Sequence, residues 1–278
     1  MSFKNNYIFN QLQHNPKHYI TKLMSDETLF FLLWYFVSKE SYPQRNSYYD
    51  NIFGGNTSPY DRFFQLFLYN TLSLDELIIF NNANDLDKYV DGLSSRDLNK
   101  NLLYIHVNKM TSFFAFFEKI RNSISHGNFN LTNRFFMIGQ IKSNPNSVMN
   151  FYYQTNDRFG EQFDKFLRVL QTSINIDQLC INSLKMCPNV ENRNGDLYYK
   201  SKKIIIEHNF KFQPVNEEGT ELSQIINLVN KNYYVNVIII ICCQSHRTFN
   251  VDELISKNIE VISYKDLFSF FECKIQHK

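Results

Sequence analysis

No run of apolar residues in this chain is long enough to cross a bilayer. The longest, 29–37 and 235–243, fall well short of the ~20 residues a spanning helix needs. No N-terminal segment reads as charged and then apolar, as a secretory signal would. Cysteine is sparse, at Cys180, Cys187, Cys242, Cys243 and Cys273, and an odd number without C-x-x-C spacing is no disulfide framework. These absences together predict a soluble protein of a reducing cytoplasm. Charge of one sign is also lacking: 29 Lys and Arg against 27 Asp and Glu leave +2. That excludes nucleic-acid binding by bulk electrostatics and leaves only a local patch. No internal repeat or low-complexity tract is found beyond a bias to asparagine, whose 35 copies match the composition of an AT-rich genome and carry no mechanism.

What is present is apolar and aromatic. A hydrophobic fraction of 44%, with 27 Phe and 17 Tyr, excludes a chain that stays disordered. Its 278 residues exceed one typical domain, so two medium domains are expected.

Apolar residues in the first part recur at spacings of three and four, which predicts helices. One follows Ser25 and Asp26, with Leu29, Phe30, Leu33, Trp34 and Val37 along it. After a loop over 42–59, Pro59 opens another, with Phe63, Phe64, Phe67, Leu68 and Leu72 on its apolar side. A third is expected from about Ser95 to Ser125, followed by Gly127 where helices commonly stop. Residues 159–170 and 176–184 continue the helical pattern, while 134–141 and 151–154 fit a hairpin or a helix equally. Beyond Pro188 the texture changes to Ile204–Ile206, a helical 221–230, a strand-like 235–243 and a short strand at 259–262. Alternating strands and helices indicate an α/β unit. The expectation is an α+β protein of two domains: a helical bundle over 1–187 and a small α/β domain over 188–278.

The chemistry-bearing segment is Arg121-Asn122-Ser123-Ile124-Ser125-His126-Gly127. Histidine suits proton transfer because its ordinary pKa is near neutrality. Arginine offers phosphate oxygens a permanent planar fork of donors. On a helix Arg121 and His126 differ by roughly 140°, with Asn122 and Ser125 between them. A polar face therefore forms near the helix end, while Ile120 and Ile124 occupy the other side. Glu118, one turn earlier, is placed to hold the Arg121 guanidinium.

Arg121-Asn122 followed by His126-Gly127 resembles the R-x4-6-H motif of HEPN domains. The resemblance implies an all-α bundle and a homodimer with two Arg-His pairs in one cleft. It also implies a metal-independent endoribonuclease of prokaryotic defence, of the abortive-infection, antiviral or toxin type. Arg121 would then bind the scissile phosphate, His126 act as general acid or base, and Asn122 orient the substrate, supported by Glu118 and Ser125. No cofactor is implied; the partners would be an RNA substrate and an antitoxin or trigger molecule. A bare Arg-x4-His also arises by chance, as a helix end where histidine offsets the macrodipole.

The second half, with Asp196, Glu207-His208-Asn209 and the strands around them, is similar to the Mrr-like branch of restriction-endonuclease folds. That resemblance implies a Mg²⁺ site on Asp196 and Glu207, but Asn209 stands where the motif has lysine. Lys211, two positions on, would have to compensate, and a degenerate site is expected. Lys200, Lys202, Lys203 and Lys211 form either a phosphate-binding patch or a solvated strand edge. His208 and His246 lack metal-ligand spacing and read as ordinary surface or satisfied positions. Two readings stand beside the ribonuclease: a DNA nuclease or sensor acting through 188–278, and a non-catalytic module that binds nucleic acid, a nucleotide or a partner.

Overall fold

The computed structural model describes residues 59–108, 111–125, 129–131, 136–139, 149–155, 159–172, 176–208, 210, 220–242 and 252–278. The helix expected after Asp26 and the loop over 42–58 lie outside the described residues.

The described chain runs α1 (Pro59–Thr71), β1 (Glu76–Phe80), α2 (Ala83–Asp91), a 3₁₀ turn (Asp97–Asn99), β2 (Leu102–His106) and α3 (Ser112–Ser125). Strands β3 (Phe129–Leu131), β4 (Phe136–Gly139) and β5 (Phe151–Thr155) come next, then α4 (Phe159–Thr172) and α5 (Ile176–Lys185). After these follow β6 (Val190–Arg193), β7 (Asp196–Tyr199), β8 (Lys202–Glu207), α6 (Thr220–Lys231), β9 (Val237–Ile241), α7 (Asp252–Ser256) and β10 (Glu260–Ser263). A 3₁₀ turn (Tyr264–Asp266), α8 (Leu267–Phe270) and β11 (Ile275–His277) complete it.

Two sheets form. The six-stranded one has the order β11-β1-β2-β5-β4-β3, and the five-stranded one the order β10-β9-β8-β7-β6. The expected all-α bundle over 1–187 is thereby overturned, because β1 to β5 all lie in that span and build the first sheet with β11. Across the described residues the fold is mixed α/β.

The physical reason for the misreading is burial on both faces. In β1, Leu77 and Ile79 enter the central core while Ile78 and Phe80 enter a second cluster with Leu86 and Val90 of α2. In β2, Leu103 and Ile105 face inward and Leu102 and Tyr104 outward. Strands covered on both sides read as continuous apolar runs, in which helical spacing is satisfied as easily as alternation. The single helix expected from Ser95 to Ser125 is therefore a 3₁₀ turn, β2 and α3 in succession. The undecided pair, 134–141 and 151–154, holds β4 and β5, antiparallel neighbours with Met137 opposite Gln154.

Helices α1, α3, α4 and α5 supply the layer between the sheets. Their side chains share one core with Leu77 and Leu103 of the first sheet and Ile238 and Ile240 of the second. Helix α1 is buried nearly all round, with Phe63, Phe64, Leu66, Phe67 and Leu68 fully covered. Phe64 lies 4.9 Å from Phe113 and 6.5 Å from Phe116, ring centre to ring centre. Such aromatic pairs contribute about 0.5–1.5 kcal/mol beyond their area. On the far side of the second sheet, Ile225 and Val229 of α6 and Leu254 of α7 cover Val237, Ile239 and Ile241.

The second sheet begins with tight hairpins. Asn194 (φ 52°) and Gly195 (φ 95°) link β6 to β7, the Asn-Gly pair that a two-residue turn with positive φ prefers. From β8 onward the sheet is parallel, β8 to β9 to β10. The chain then leaves this sheet through α8 and returns to the first, where β11 lies parallel to β1 with Ile275 beside Leu77.

Candidate functional site

Helix α3 carries the Arg121 segment, and its start is fixed from outside. Asp61 of α1 accepts hydrogen bonds from the Ser112 amide (3.0 Å), from the Phe113 amide and from Ser112 Oγ (3.1 Å). Thr111 Oγ1 accepts from the Phe114 amide at 3.5 Å, so the exposed donors of the first turn are met by two elements. Phe113, Phe116, Phe117 and Ile120 anchor the helix in the central core.

At the other end, the last turn carries Asn122 and Ser125, with Arg121 just before it. Asn122 is half-buried and Ser123 is buried. The side chains of Arg121 and Ser125 lie outside the described residues, as do His126 and Gly127. Glu118, expected to hold Arg121, has its Oε2 3.8 Å from Nζ of Lys119, whose side chain is only 12% exposed.

In the second sheet, Asp196 and Glu207 share one face, because Tyr198 pairs with Lys203 and side chains alternate along both strands. Their partners differ. Asp196 Oδ2 accepts from Lys203 Nζ at 2.7 Å, and Glu207 Oε1 accepts from the Tyr234 hydroxyl at 2.9 Å. Burial, and then the Glu207 carboxylate, push the Tyr234 hydroxyl up to about 12, so it stays a donor at neutral pH. Asn209 and Lys211 lie outside the described residues. Among the described residues, no histidine, cysteine and carboxylate side chains gather into a group able to hold a metal ion.

The lysines of the expected patch are mostly engaged. Lys202 Nζ donates to Glu260 at 2.6 Å, Lys203 is paired with Asp196, and Lys200 Nζ sits 5.0 Å from the Tyr199 ring centre. These pairs leave little positive charge for phosphate.

Two groups of residues carry contacts that spacing did not reveal. His208, at the end of β8, has its Nε2 3.0 Å from Asp177 Oδ1 of α5, and its ring stacks on Tyr60 of α1. Its Nδ1 is buried with no hydrogen-bond partner among the described residues. Arg62 of α1 contacts His277 of β11, from opposite ends of the described chain. No local signal could announce either group, since each is assembled from elements far apart in sequence.

These features define the described residues as a two-sheet α/β structure with a helical layer between the sheets. Comparison with family models, with curated proteins and with solved structures yields no match. Among the described residues, no helix is long and apolar enough to cross a membrane.

Proposed function

We propose that this protein is a metal-independent endoribonuclease in which Arg121 and His126 act together at the C-terminal end of α3. The proposal rests on these residues and not on a helical-bundle fold. One observation carries it: α3 ends at Ser125, so Asn122 lies in its last turn, Arg121 immediately precedes that turn, and His126 is the next residue in sequence after the helix. The partial negative charge of a helix C-terminus favours a protonated imidazole, the form that delivers a proton to a leaving oxygen. An arginine one turn away supplies a fixed cation for the phosphate. In this reading the ribose 2′-hydroxyl attacks the adjacent phosphorus as its proton passes to the neutral His126 imidazole of a second copy of the chain, the P–O5′ bond breaks, and the leaving 5′-oxygen takes a proton from the first copy's imidazolium. A second copy of the chain would supply the other Arg-His pair. An antitoxin or trigger molecule would govern when the cleft is open.

Incubation with single-stranded RNA in EDTA tests the proposal. Cleavage leaving 2′,3′-cyclic phosphate ends is expected, and a 2′-deoxy substitution at the scissile position should stop it. Undiminished cleavage of the deoxy substrate would remove the mechanism.

A further inference from the structure

A second basic group lies where α1, α8 and β11 meet. Arg62 Nη1 is 2.6 Å from His277 Nε2, and its guanidinium carbon lies 5.0 Å from the centre of the Phe268 ring. The His277 ring is stacked parallel to the same phenylalanine at 6.2 Å. Among the described residues, no carboxylate forms an ion pair with Arg62, and His277 is its one hydrogen-bond partner. Asp61, its neighbour in sequence, is turned away and spent on the amides of α3. The remaining donors of a partly desolvated guanidinium are thus unused.

The imidazole nitrogen has two competing neighbours. To accept from Arg62, Nε2 must carry its lone pair. Yet Gln65 Oε1 stands 3.0 Å from the same atom and can only accept. The orientation of that amide is fixed, because Gln65 Nε2 donates to Asp61 Oδ2 at 3.0 Å and to Ser112 Oγ at 2.7 Å. His277 with its proton on Nδ1 alone therefore satisfies Arg62, and a ring carrying a proton on Nε2 satisfies Gln65. Desolvation of the ring, and then the Arg62 charge, lower the imidazole to about 4 and favour the neutral form, although the residue as a whole keeps an exposed surface. The other groups acting electrostatically on Arg62 are Asp61 on its own helix and Tyr264 in the 3₁₀ turn before α8.

We propose that Arg62 and His277 form a binding site for a phosphate group, in which the oxyanion takes the guanidinium and His277 Nε2 takes up a proton and donates to Gln65. A phosphate oxygen matches the planar fork better than a neutral ring nitrogen does. Once Arg62 is neutralised, Nε2 is free to protonate, donate to Gln65 and add a second positive charge. This site is independent of the Arg121–His126 reading.

The test follows the His277 ring by NMR against pH in the unaltered protein, with the resonance assigned from a His277→Gln spectrum. Chloride at matched ionic strength is the reference, and inorganic phosphate and dimethyl phosphate are the probes. The midpoint is expected to rise from about 4 to the ordinary histidine value of ~6.5 or above. A rise with inorganic phosphate alone assigns the site to a terminal phosphate; a rise with dimethyl phosphate assigns it to a phosphodiester. Arg62→Gln should raise the midpoint in chloride and abolish the response to both probes. No rise with either probe in the unaltered protein, or an equal rise in Arg62→Gln, overturns the proposal.

Discussion

The Asp61 carboxylate caps a helix to which it does not belong: it sits on α1 and takes the Ser112 amide of α3 at 3.0 Å. Burial raises its pKa to about 6, the effect that outweighs the hydrogen bonds it accepts. A folded-state value above the unfolded ~3.8 means stability that is fully present below ~3.8 and lost as pH rises through 6. For a residue 4% exposed, a rise of that size corresponds to ~3 kcal/mol. Asp61→Asn keeps a good capping group without the ionisation. It should lose this pH dependence in urea titrations between pH 4 and 7, whereas Asp61→Ala should cost about 1–3 kcal/mol throughout. Identical pH profiles for Asp61→Asn and the parent would show that Asp61 does not titrate in this range.

His277 works in the opposite sense over nearly the same interval. Its folded-state pKa is lowered to about 4, so the stability it contributes is present above ~6.5 and is lost as pH falls through 4. Against Asp61, the two slopes partly cancel. His277→Gln should therefore make the protein resist mild acid better than its parent, and the double variant with Asp61→Asn should be nearly flat. A parent profile unaffected by His277→Gln would mean that the ring keeps its ordinary acidity.

For RNA cleavage, His126→Ala and Arg121→Ala are each expected to lower the rate by about 10²–10⁴-fold. Circular dichroism and the unfolding midpoint should be unchanged, since the core face of α3 is built from Phe113, Phe116, Phe117 and Ile120. Light scattering on the parent protein should give a dimer. Full activity in either single variant would place the chemistry elsewhere.

A metal-dependent DNA nuclease centred on Asp196 and Glu207 is expected to be absent. Lys203 already neutralises Asp196 at 2.7 Å, and Glu207 is held by Tyr234. A restriction-type site needs both carboxylates on the metal and a cation near the attacking water. Mg²⁺ or Mn²⁺ added to His126→Ala protein should leave linear and supercoiled DNA intact. Robust cutting that disappears in Glu207→Ala would restore that reading.

How much of this could be read beforehand depended on the neighbours each segment has. The helix at Pro59 and those at 159–170 and 176–184 were legible because Pro59, and the polar residues breaking the apolar runs, carry local information. So were β8, α6, β9 and β10, where isoleucine-rich strands alternate with a polar helix. Leu77–Phe80 and Leu102–Ile105 were not, because a strand covered on both faces shows no alternation. The Arg121 segment is proposed from residue types within seven consecutive residues. The Arg62–His277 contact joins residues 215 positions apart, and such a site exists only after folding has brought them together.

That same distance bears on how the protein is made. Along one side β1 is bonded to β2, and along the other to β11, where the carbonyls of Lys274 and Lys278, on either side of β11, receive the Leu77 and Asn81 amides. While synthesis proceeds through everything between Phe80 and Ile275, that second side is an open row of donors and acceptors, available to any extended peptide. The nascent chain thus carries an unfilled berth while those residues are made, and any extended peptide that entered it would have to be displaced before β11 takes its place.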